Sequence, residues 1–339
     1  MTSRHPTGGG APHAPLPGHA TASPGVRLPL RVGTRGSRLA LVQTRIFLRR
    51  IATFCPVLQD LQAFQEHPIR TTGDVVQDRT LADIGGKGLF AKEIHEALAD
   101  GRVDFAVHSL KDLETTLPPG IVLACTMTRE DARDALLPRP GLELDPADPI
   151  AALPPGARVG TSSVRREAIL RSLRPDLAVG ALRGNIDSRL ARLDAGQWDA
   201  ILLAVAGLKR IGADEHPHLP LDPAKFVPAA CQGIVGITCR EADAELRMLL
   251  AAIEDIPSRT VAEAERALLA ALDGSCRTPI GGHARLSGGR IRLTGMVARV
   301  DGSFLLADDI EGPAADAQAL GTRLGRRLRA AAPSDLFAA

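Results

Sequence analysis

The sequence predicts an α/β protein that ends in a small α+β unit, and three features predict it. From Leu28 to about Asp255 short apolar strands alternate with amphipathic helices, a pattern that implies parallel sheets. Several of these strands run directly into polar or glycine-containing turns, the position at which open α/β sheets bind ligands. After Asp255 the order changes to a helix, two alternating strands that meet at Asp301-Gly302, and a last helix, as expected of a small antiparallel sheet under helical cover.

Composition narrows the class. A chain of 339 residues has room for two or three domains, and its apolar share of 45% with 24% charged residues is that of an ordinary globular protein. A net charge of +2 makes no case for nucleic acid or membrane as partner. Of the 41 basic residues five are lysine and 36 arginine. Arginine's planar fork suits carboxylates and phosphates, although a GC-rich coding sequence would give the same bias. The cysteines Cys55, Cys125, Cys231, Cys239 and Cys276 are odd in number, contain no CxxC pair and have no histidine at zinc-ligand spacing, so neither a disulfide framework nor a metal site is indicated. No apolar run approaches the ~20 residues of a membrane span. Residues 1–27 hold no Asp or Glu and are filled with Pro, Gly, His, Ser and Thr. They have neither the apolar core of a signal peptide nor the amphipathic helix of a transit peptide, so a disordered tail on a cytoplasmic protein is expected.

Taken in order, the first strand is Leu28 to Val32, followed by Gly33-Thr34-Arg35-Gly36-Ser37 and a helix from Arg38 to about Thr53, with Ser37 as N-cap. Arg35 thus stands where a strand turns into a helix N-terminus, a natural anion site. A strand within Leu61 to Arg70 leads to Thr71-Thr72-Gly73-Asp74 and then to Ile84-Gly85-Gly86-Lys87-Gly88-Leu89-Phe90. That loop lacks the order of a Walker motif, but Lys87 and Phe90 before a helix suit closure over a ligand. The alternating strand Val103, Phe105, Val107 then runs into His108, Ser109, Lys111 and Asp112, which places an imidazole, an ammonium and a carboxylate at one strand end. Ile121 to Thr126 is a further strand, and residues 129–134 read as a charged connection.

A second α/β series opens at Arg158 to Val159 with the turn Gly160-Thr161-Ser162-Ser163 and a helix carrying Arg165 and Arg166 in its first turn. Cations there oppose the helix macrodipole, which an anion bound at the same terminus would explain. Leu177 to Leu182 is followed by Arg183-Gly184-Asn185 and a helix containing Arg189, and Ala200 to Val205 by Leu208-Lys209-Arg210. Small residues from Val227 to Gly233, including Gln232, suit a hinge back to the first series, where Ile234 to Thr238 forms a strand. In the last part, Ser258 to Leu272 is a helix, Gly274 to Gly281 a loop, Ile291 to Val300 and Ser303 to Asp309 strands, and about Ala314 to Ala331 the covering helix. Cys276 lies between glycines in that loop beside Arg277, which favours its thiolate.

Thr34-Arg35-Gly36-Ser37, Gly-Gly-Lys-Gly-Leu-Phe, Val-His-Ser-Leu-Lys-Asp, Gly-Thr-Ser-Ser-Val-Arg-Arg, Leu-Arg-Gly-Asn and Gly-Ser-Cys-Arg-Thr-Pro-Ile-Gly follow one another along the chain. In that order they closely resemble the porphobilinogen deaminase, or hydroxymethylbilane synthase, family from about Leu28 to the C-terminal helix. The resemblance implies two α/β domains like those of type II periplasmic binding proteins and a small C-terminal α+β domain. It divides the chain into the tail 1–27, domain 1 at 28–128 and 233–252, domain 2 at 129–232, and domain 3 at 253–339. The implied activity deaminates and condenses four porphobilinogens head to tail on a covalently held dipyrromethane, then releases hydroxymethylbilane by hydrolysis.

By the same resemblance Asp112 matches the catalytic aspartate and Cys276 the cofactor attachment point. Arg35, Arg165, Arg166, Arg183, Arg189 and Arg210 match carboxylate-binding arginines, and Ser37, Lys111, Thr161, Ser162 and Ser163 match supporting positions. Lys87, Ser109, Gly184 and Gln232 complete the expected cofactor- and substrate-binding set, with porphobilinogen as the small-molecule partner, no metal, no nucleic acid, no membrane, and a monomer. Three positions depart from the family's habit: Asp83 stands where Lys is frequent, Glu114 where Pro is common, and Cys231 where Gly is frequent. The rival reading is a solute-binding protein that holds an anionic ligand without transforming it, which predicts an export signal that the sequence lacks. A regulatory ligand-binding module is the other, but no helix-turn-helix or other DNA-reading segment is evident.

Overall fold

A computed structural model describes residues 28–60, 62–75, 88–272 and 278–337. The first lobe starts with β1 (Leu30–Arg35), β2 (Phe64–Ile69), β3 (Phe105–Ser109) and β4 (Ile121–Thr126). The chain then crosses to a second lobe made of β5 (Asp134–Pro138), β6 (Arg158–Gly160), β7 (Ala178–Gly180), β8 (Ala200–Ala204) and β9 (Leu219–Pro220). It returns to the first lobe as β10 (Val235–Arg240). The two sheets run β2-β1-β3-β10-β4 and β7-β6-β8-β5-β9, the same order of strands in both lobes. Each lobe thus receives one strand from a crossing.

The sheets are mixed where parallel ones were expected. Within each lobe the helix-connected strands pair in parallel, β1 with β2 and β3, and β6 with β7 and β8. The strand that arrives from the other lobe runs against its neighbours: β5 against β8, and β10 against β3 and β4. Alternation along the sequence reports only the local crossovers, and these two strands are placed by a return from a distance.

The C-terminal unit is an antiparallel sheet of β11 (Ile280–Ser287), β12 (Arg290–Ala298) and β13 (Leu305–Pro313). Helices Ile256–Leu272 and Ala317–Ala331 cover it, and Leu268, Leu324 and Leu328 are buried with Leu293 and Val297 beneath them. Gly321 lets the two helices touch, since a β-carbon there would lie 2.1 Å from the Ala264 carbonyl oxygen. Strand β11 falls partly on residues read as loop, because Gly281 and Gly282 resemble turn residues. In place they let the strand lie against Val227 and Ala230 of the return crossing.

The charged segment at residues 129–134 proves to be the crossing itself, and its last residue opens β5 with no solvent exposure. The two crossings run side by side, Glu130 N donating to the Gly233 carbonyl at 3.1 Å and Arg129 Nε to that of Gln232 at 2.9 Å. Glu265, fully buried on helix Ile256–Leu272, gathers both of them. It accepts from Arg129 Nη1 at 2.6 Å, Cys231 N at 2.5 Å and Ala284 N at 2.6 Å. One carboxylate thereby joins the outward crossing, the return crossing and β11.

Cys231 meets Glu265 with a left-handed backbone, φ 63°, while its thiol is buried in the C-terminal core. For a residue with a β-carbon this conformation costs about 1–3 kcal/mol. Cys231→Gly removes that cost along with the thiol's contacts, so the melting temperature should stay close to wild type. Cys231→Val adds a branched β-carbon to the same backbone and should lower stability by at least about 2 kcal/mol. Thermal unfolding followed by circular dichroism distinguishes the two outcomes.

Candidate functional site

The strand ends of both lobes face a common cleft of about 840 Å³. Eight basic side chains line it against four acidic ones, so it selects for anions. Strand β1 delivers Arg35, and Ser37 caps the helix that follows by accepting from Ala40 N at 3.3 Å. Arg35 is engaged by Asp74, with Nε 3.4 Å from Oδ2, and its guanidinium lies 4.2 Å over the Phe90 ring. Burial acts to raise the Asp74 carboxyl, but Arg35 and Thr71 outweigh it and hold the group below the usual range.

Strand β3 ends in a single 3₁₀ turn, Leu110–Asp112, that buries Leu110 and turns Lys111 and Asp112 into the cleft. Asp112 Oδ2 sits 3.9 Å from Arg35 Nη1, and its side chain is 30% exposed. Lys111 donates to Gln232 Oε1 at 3.1 Å. Lys111 lines the cleft, and desolvation by the surrounding protein lowers its ammonium to about 8 despite the neighbouring Asp112. Ser109 donates to Gln43 Oε1 at 3.1 Å. The expected imidazole is not part of this cluster. His108 is buried beneath it, 2.9 Å from Thr238 Oγ1, and burial together with His95 and Arg35 pushes it down to about 3.

In the second lobe the turn Thr161-Ser162-Ser163 joins β6 to helix Val164–Leu173. Ser163 caps that helix through Arg166 N, at a long 3.4 Å, and Thr161 is buried behind the cleft wall, accepting from Ser163 N at 3.2 Å. Arg165 and Arg166 do stand in the first turn. The anion nearest to them is the protein's own Asp134, from which Arg165 Nη2 and Arg166 Nη2 lie 2.8 Å and 2.7 Å away. Sequence reading placed Asp134 on a charged connection, since nothing local to it signals burial. Gln232 Nε2 also donates to it at 3.0 Å, which links this cluster to Lys111. Two guanidiniums share one carboxylate, so the cluster keeps a net positive charge. Arg165 Nε and Ser162 Oγ are buried with no hydrogen-bond partner among the described residues.

Gly184 takes a φ of 108°, turning the chain into helix Ile186–Asp194, which Asn185 caps through Ser188 N at 2.8 Å. Arg189 donates to the Gly184 carbonyl at 2.9 Å and is lowered to about 10 by burial and by the neighbouring Arg166 and Arg183. Arg210 reaches back to the Gly233 carbonyl and is likewise lowered to about 10 by burial. Arg38 and Asp187, 2.6 Å apart, connect the lobes at the rim.

The structure therefore brings Arg35, Ser37, Ser109, Lys111, Asp112, Ser162, Ser163, Arg165, Arg166, Arg183, Gly184, Arg189, Arg210 and Gln232 to one cavity. Thr161 supports the wall from behind. Lys87 and Cys276 lie outside the described residues, as does Asp83, while Thr278 and Ile280, just past Cys276, line the cavity. None of the four described cysteines does. Cys125, Cys231 and Cys239 are buried, and burial pushes their thiols up to about 12, 12 and 11. Sequence reading missed Asp134, Arg70 and Gln43 as members of the site or its support.

The chain is similar to known proteins over most of its length. The model "Porphobilinogen deaminase, dipyromethane cofactor binding domain" matches residues 30–248, and "Porphobilinogen deaminase, C-terminal domain" matches residues 260–330. A porphobilinogen deaminase of Paracoccus denitrificans is 46% identical over 317 residues, covering 94% of this chain and 99% of that one. One of Sorangium cellulosum is 45% identical over 304 residues, covering 88% and 98%. Among solved structures, the periplasmic VFT2 domain of Bordetella pertussis BvgS aligns with a TM-score of 0.39 at 13% identity, over 69% of this chain and 91% of that one.

The Asp134 cluster sets an acid limit. Burial alone would raise this carboxyl, but Arg165 and Arg166 hold it at about 2. Its unfolded value is about 3.9, so the stability it contributes is present above pH 4 and lost as pH falls from about 4 to about 2. Asp134→Asn leaves the guanidiniums buried without their counter-charge and should cost about 3–5 kcal/mol. The variant's denaturant midpoint should also vary less with pH across that acid window than the wild type's.

Proposed function

The chain belongs to the porphobilinogen deaminase family, and we propose that Asp112 is its catalytic carboxylate, Cys276 its cofactor attachment point and the cleft cations its binders of pyrrole side-chain carboxylates. The enzyme is a hydroxymethylbilane synthase of tetrapyrrole biosynthesis with porphobilinogen as substrate. The observation that carries the residue assignments is the Asp112 carboxylate, no closer than 3.9 Å to Arg35, among a surplus of cations in a cleft that holds nearly every expected residue.

Each porphobilinogen carries an acetate and a propionate. The cations that meet them are preorganised, because Arg165 and Arg166 are already fixed by Asp134, and Arg189 and Arg210 by backbone carbonyls. Loss of ammonia from the substrate leaves an electron-poor methylene carbon conjugated with the pyrrole N–H. Asp112 supplies the fixed negative charge that this developing cation needs, and a base for the pyrrole proton. The other acids of the wall are committed: Asp74 to Arg35 and Thr71, Asp187 to Arg38, and Glu114 to a protein partner of its own.

The family's dipyrromethane cofactor fits this wall, since Arg165 Nε and Ser162 Oγ are buried donors in need of partners and the surrounding charge is positive. When bound, it supplies the primer from which the product chain grows. Arg165, Ser162, Ser163 and Arg183 would hold its carboxylates, with Thr161 behind them, and Ser37, Lys87, Ser109, Lys111, Gly184 and Gln232 complete the binding set. Cys276 as attachment point is supported by the flanking Thr278 and Ile280 on the cavity wall and by the burial of the alternatives Cys125, Cys231 and Cys239. The division into residues 28–128 with 233–252, 129–232 and 253–339 belongs to the same reading. So does a cytoplasmic monomer, consistent with a cleft built within one chain and with no described helix long and apolar enough to cross a membrane.

Intact mass spectrometry tests the attachment: wild type should carry two deaminated porphobilinogen units, and Cys276→Ser should carry none and be inactive. An adduct mapped by digestion to another cysteine refutes it.

For Asp112, Asn is nearly isosteric and removes only the charge. Asp112→Asn, once shown to contain cofactor, should keep much of its substrate affinity and lose about 10²–10³ in the rate of ammonia release. Asp112→Glu, which retains the charge one methylene away, should be the faster of the two. Single-turnover ammonia release that is as fast in the Asn variant as in wild type would remove Asp112 from the chemistry.

A further inference from the structure

Seven of the eight basic side chains that line the cleft have protein partners. Arg35 meets Asp74, Lys111 meets Gln232, Arg165 and Arg166 share Asp134, and Arg189 and Arg210 donate to backbone carbonyls. Arg183 is engaged as well. The eighth, Arg70, is exposed and makes no hydrogen bond or ion pair with any described residue. Nothing in the sequence around it marks it as part of a site.

Its position is defined by the sheet. Arg70 directly follows β2, whose last residue Ile69 lies opposite Arg35 on β1, so its backbone is one step beyond the catalytic edge of the same sheet. Strand β2 is an edge strand of that sheet, and two strands separate it from β10, which arrives from the return crossing. The buried cations lie at the opposite, inner side, where Arg165 donates to the Val227 carbonyl and Gln232 meets Asp134. The inner cations suit a group that stays, because they are withdrawn from water and immobile. A solvent-facing guanidinium without a partner suits a ligand that arrives and leaves, since it attracts carboxylates through water and no internal ion pair has to be broken first.

We propose that Arg70 is an additional substrate-binding residue of this enzyme, which captures a carboxylate of incoming porphobilinogen at the outer edge of the cleft. The proposal rests on the hydroxymethylbilane synthase reading. Arg70 acts before the chemistry, so it contributes to substrate capture and leaves the bond-making step to the residues around Asp112.

The test uses holoenzyme whose cofactor content has been matched by intact mass. Relative to wild type, Arg70→Ala should raise KM for porphobilinogen about 5–10-fold with kcat within about twofold, and Arg70→Glu should raise KM further. Arg70→Lys should recover part of the loss, since it retains the charge but not the fork. The fall of kcat/KM with added salt should be shallower for Arg70→Ala than for wild type. Unchanged KM and unchanged salt dependence in both the Ala and Glu variants overturn the proposal. So does a loss confined to kcat, which would make Arg70 a structural support of the catalytic centre. A wild type that released no ammonia from porphobilinogen would overturn the underlying reading as well, which separates the two failures.

Discussion

Two guanidiniums and one carboxylate are withdrawn from water at the start of helix Val164–Leu173, and the arrangement of the cleft depends on how that charge is balanced. An isolated buried guanidinium is very unfavourable, so Arg165 and Arg166 can occupy the inner wall only with Asp134 between them. Asp134 is held in turn by its place as first residue of β5, immediately after the outward crossing, and by Gln232 from the return crossing. The position of Arg165 and Arg166 is therefore a consequence of how the chain passes between lobes. Because one acid serves two bases, the cluster is fixed without being neutralised, and the remaining positive charge is available to a ligand carboxylate.

Glu265 repeats this arrangement at the junction with the C-terminal unit. Arg129 is its charged partner, and the backbone N–H groups of Cys231 and Ala284 complete its coordination. The acids therefore serve two purposes. Asp134 and Glu265 are fully buried and position other groups, whereas Asp112 stays accessible at the cleft, close to Arg35 without closing a short ion pair. Burial and pairing thus separate carboxylates that hold other groups from one that stays in contact with the cleft.

The same separation applies to the cations and explains why arginine dominates them. A lysine ammonium starts from a lower value than a guanidinium, and desolvation brings Lys111 down to about 8. Arg189 and Arg210 are lowered only to about 10 by burial and remain charged. Arginine can also bond to carboxylates and carbonyls of the protein at once, as Arg165 does with Asp134 and Val227.

Local signals were sufficient for the fold class, the N-cap Ser37, the Asp301-Gly302 connection, and the family motifs. These depend on residues a few positions apart, and adjacency along a chain determines helix starts, turns and strand ends. The antiparallel entry of β5 and β10, the start of β11, and the burial of Asp134 and Glu265 were decided only by the tertiary structure. Asp134 and Arg166 are separated by 32 positions, and Arg129 and Glu265 by 136. An aspartate in a run of charges looks solvated until a strand pairing removes it from water, and His108 looks catalytic until the sheet buries it against Thr238. By itself the sequence determined which chemical groups stand at the strand ends. Only the folded chain decided which of them keep their charge in contact with the cleft, because desolvation and pairing depend on neighbours that are distant along the chain.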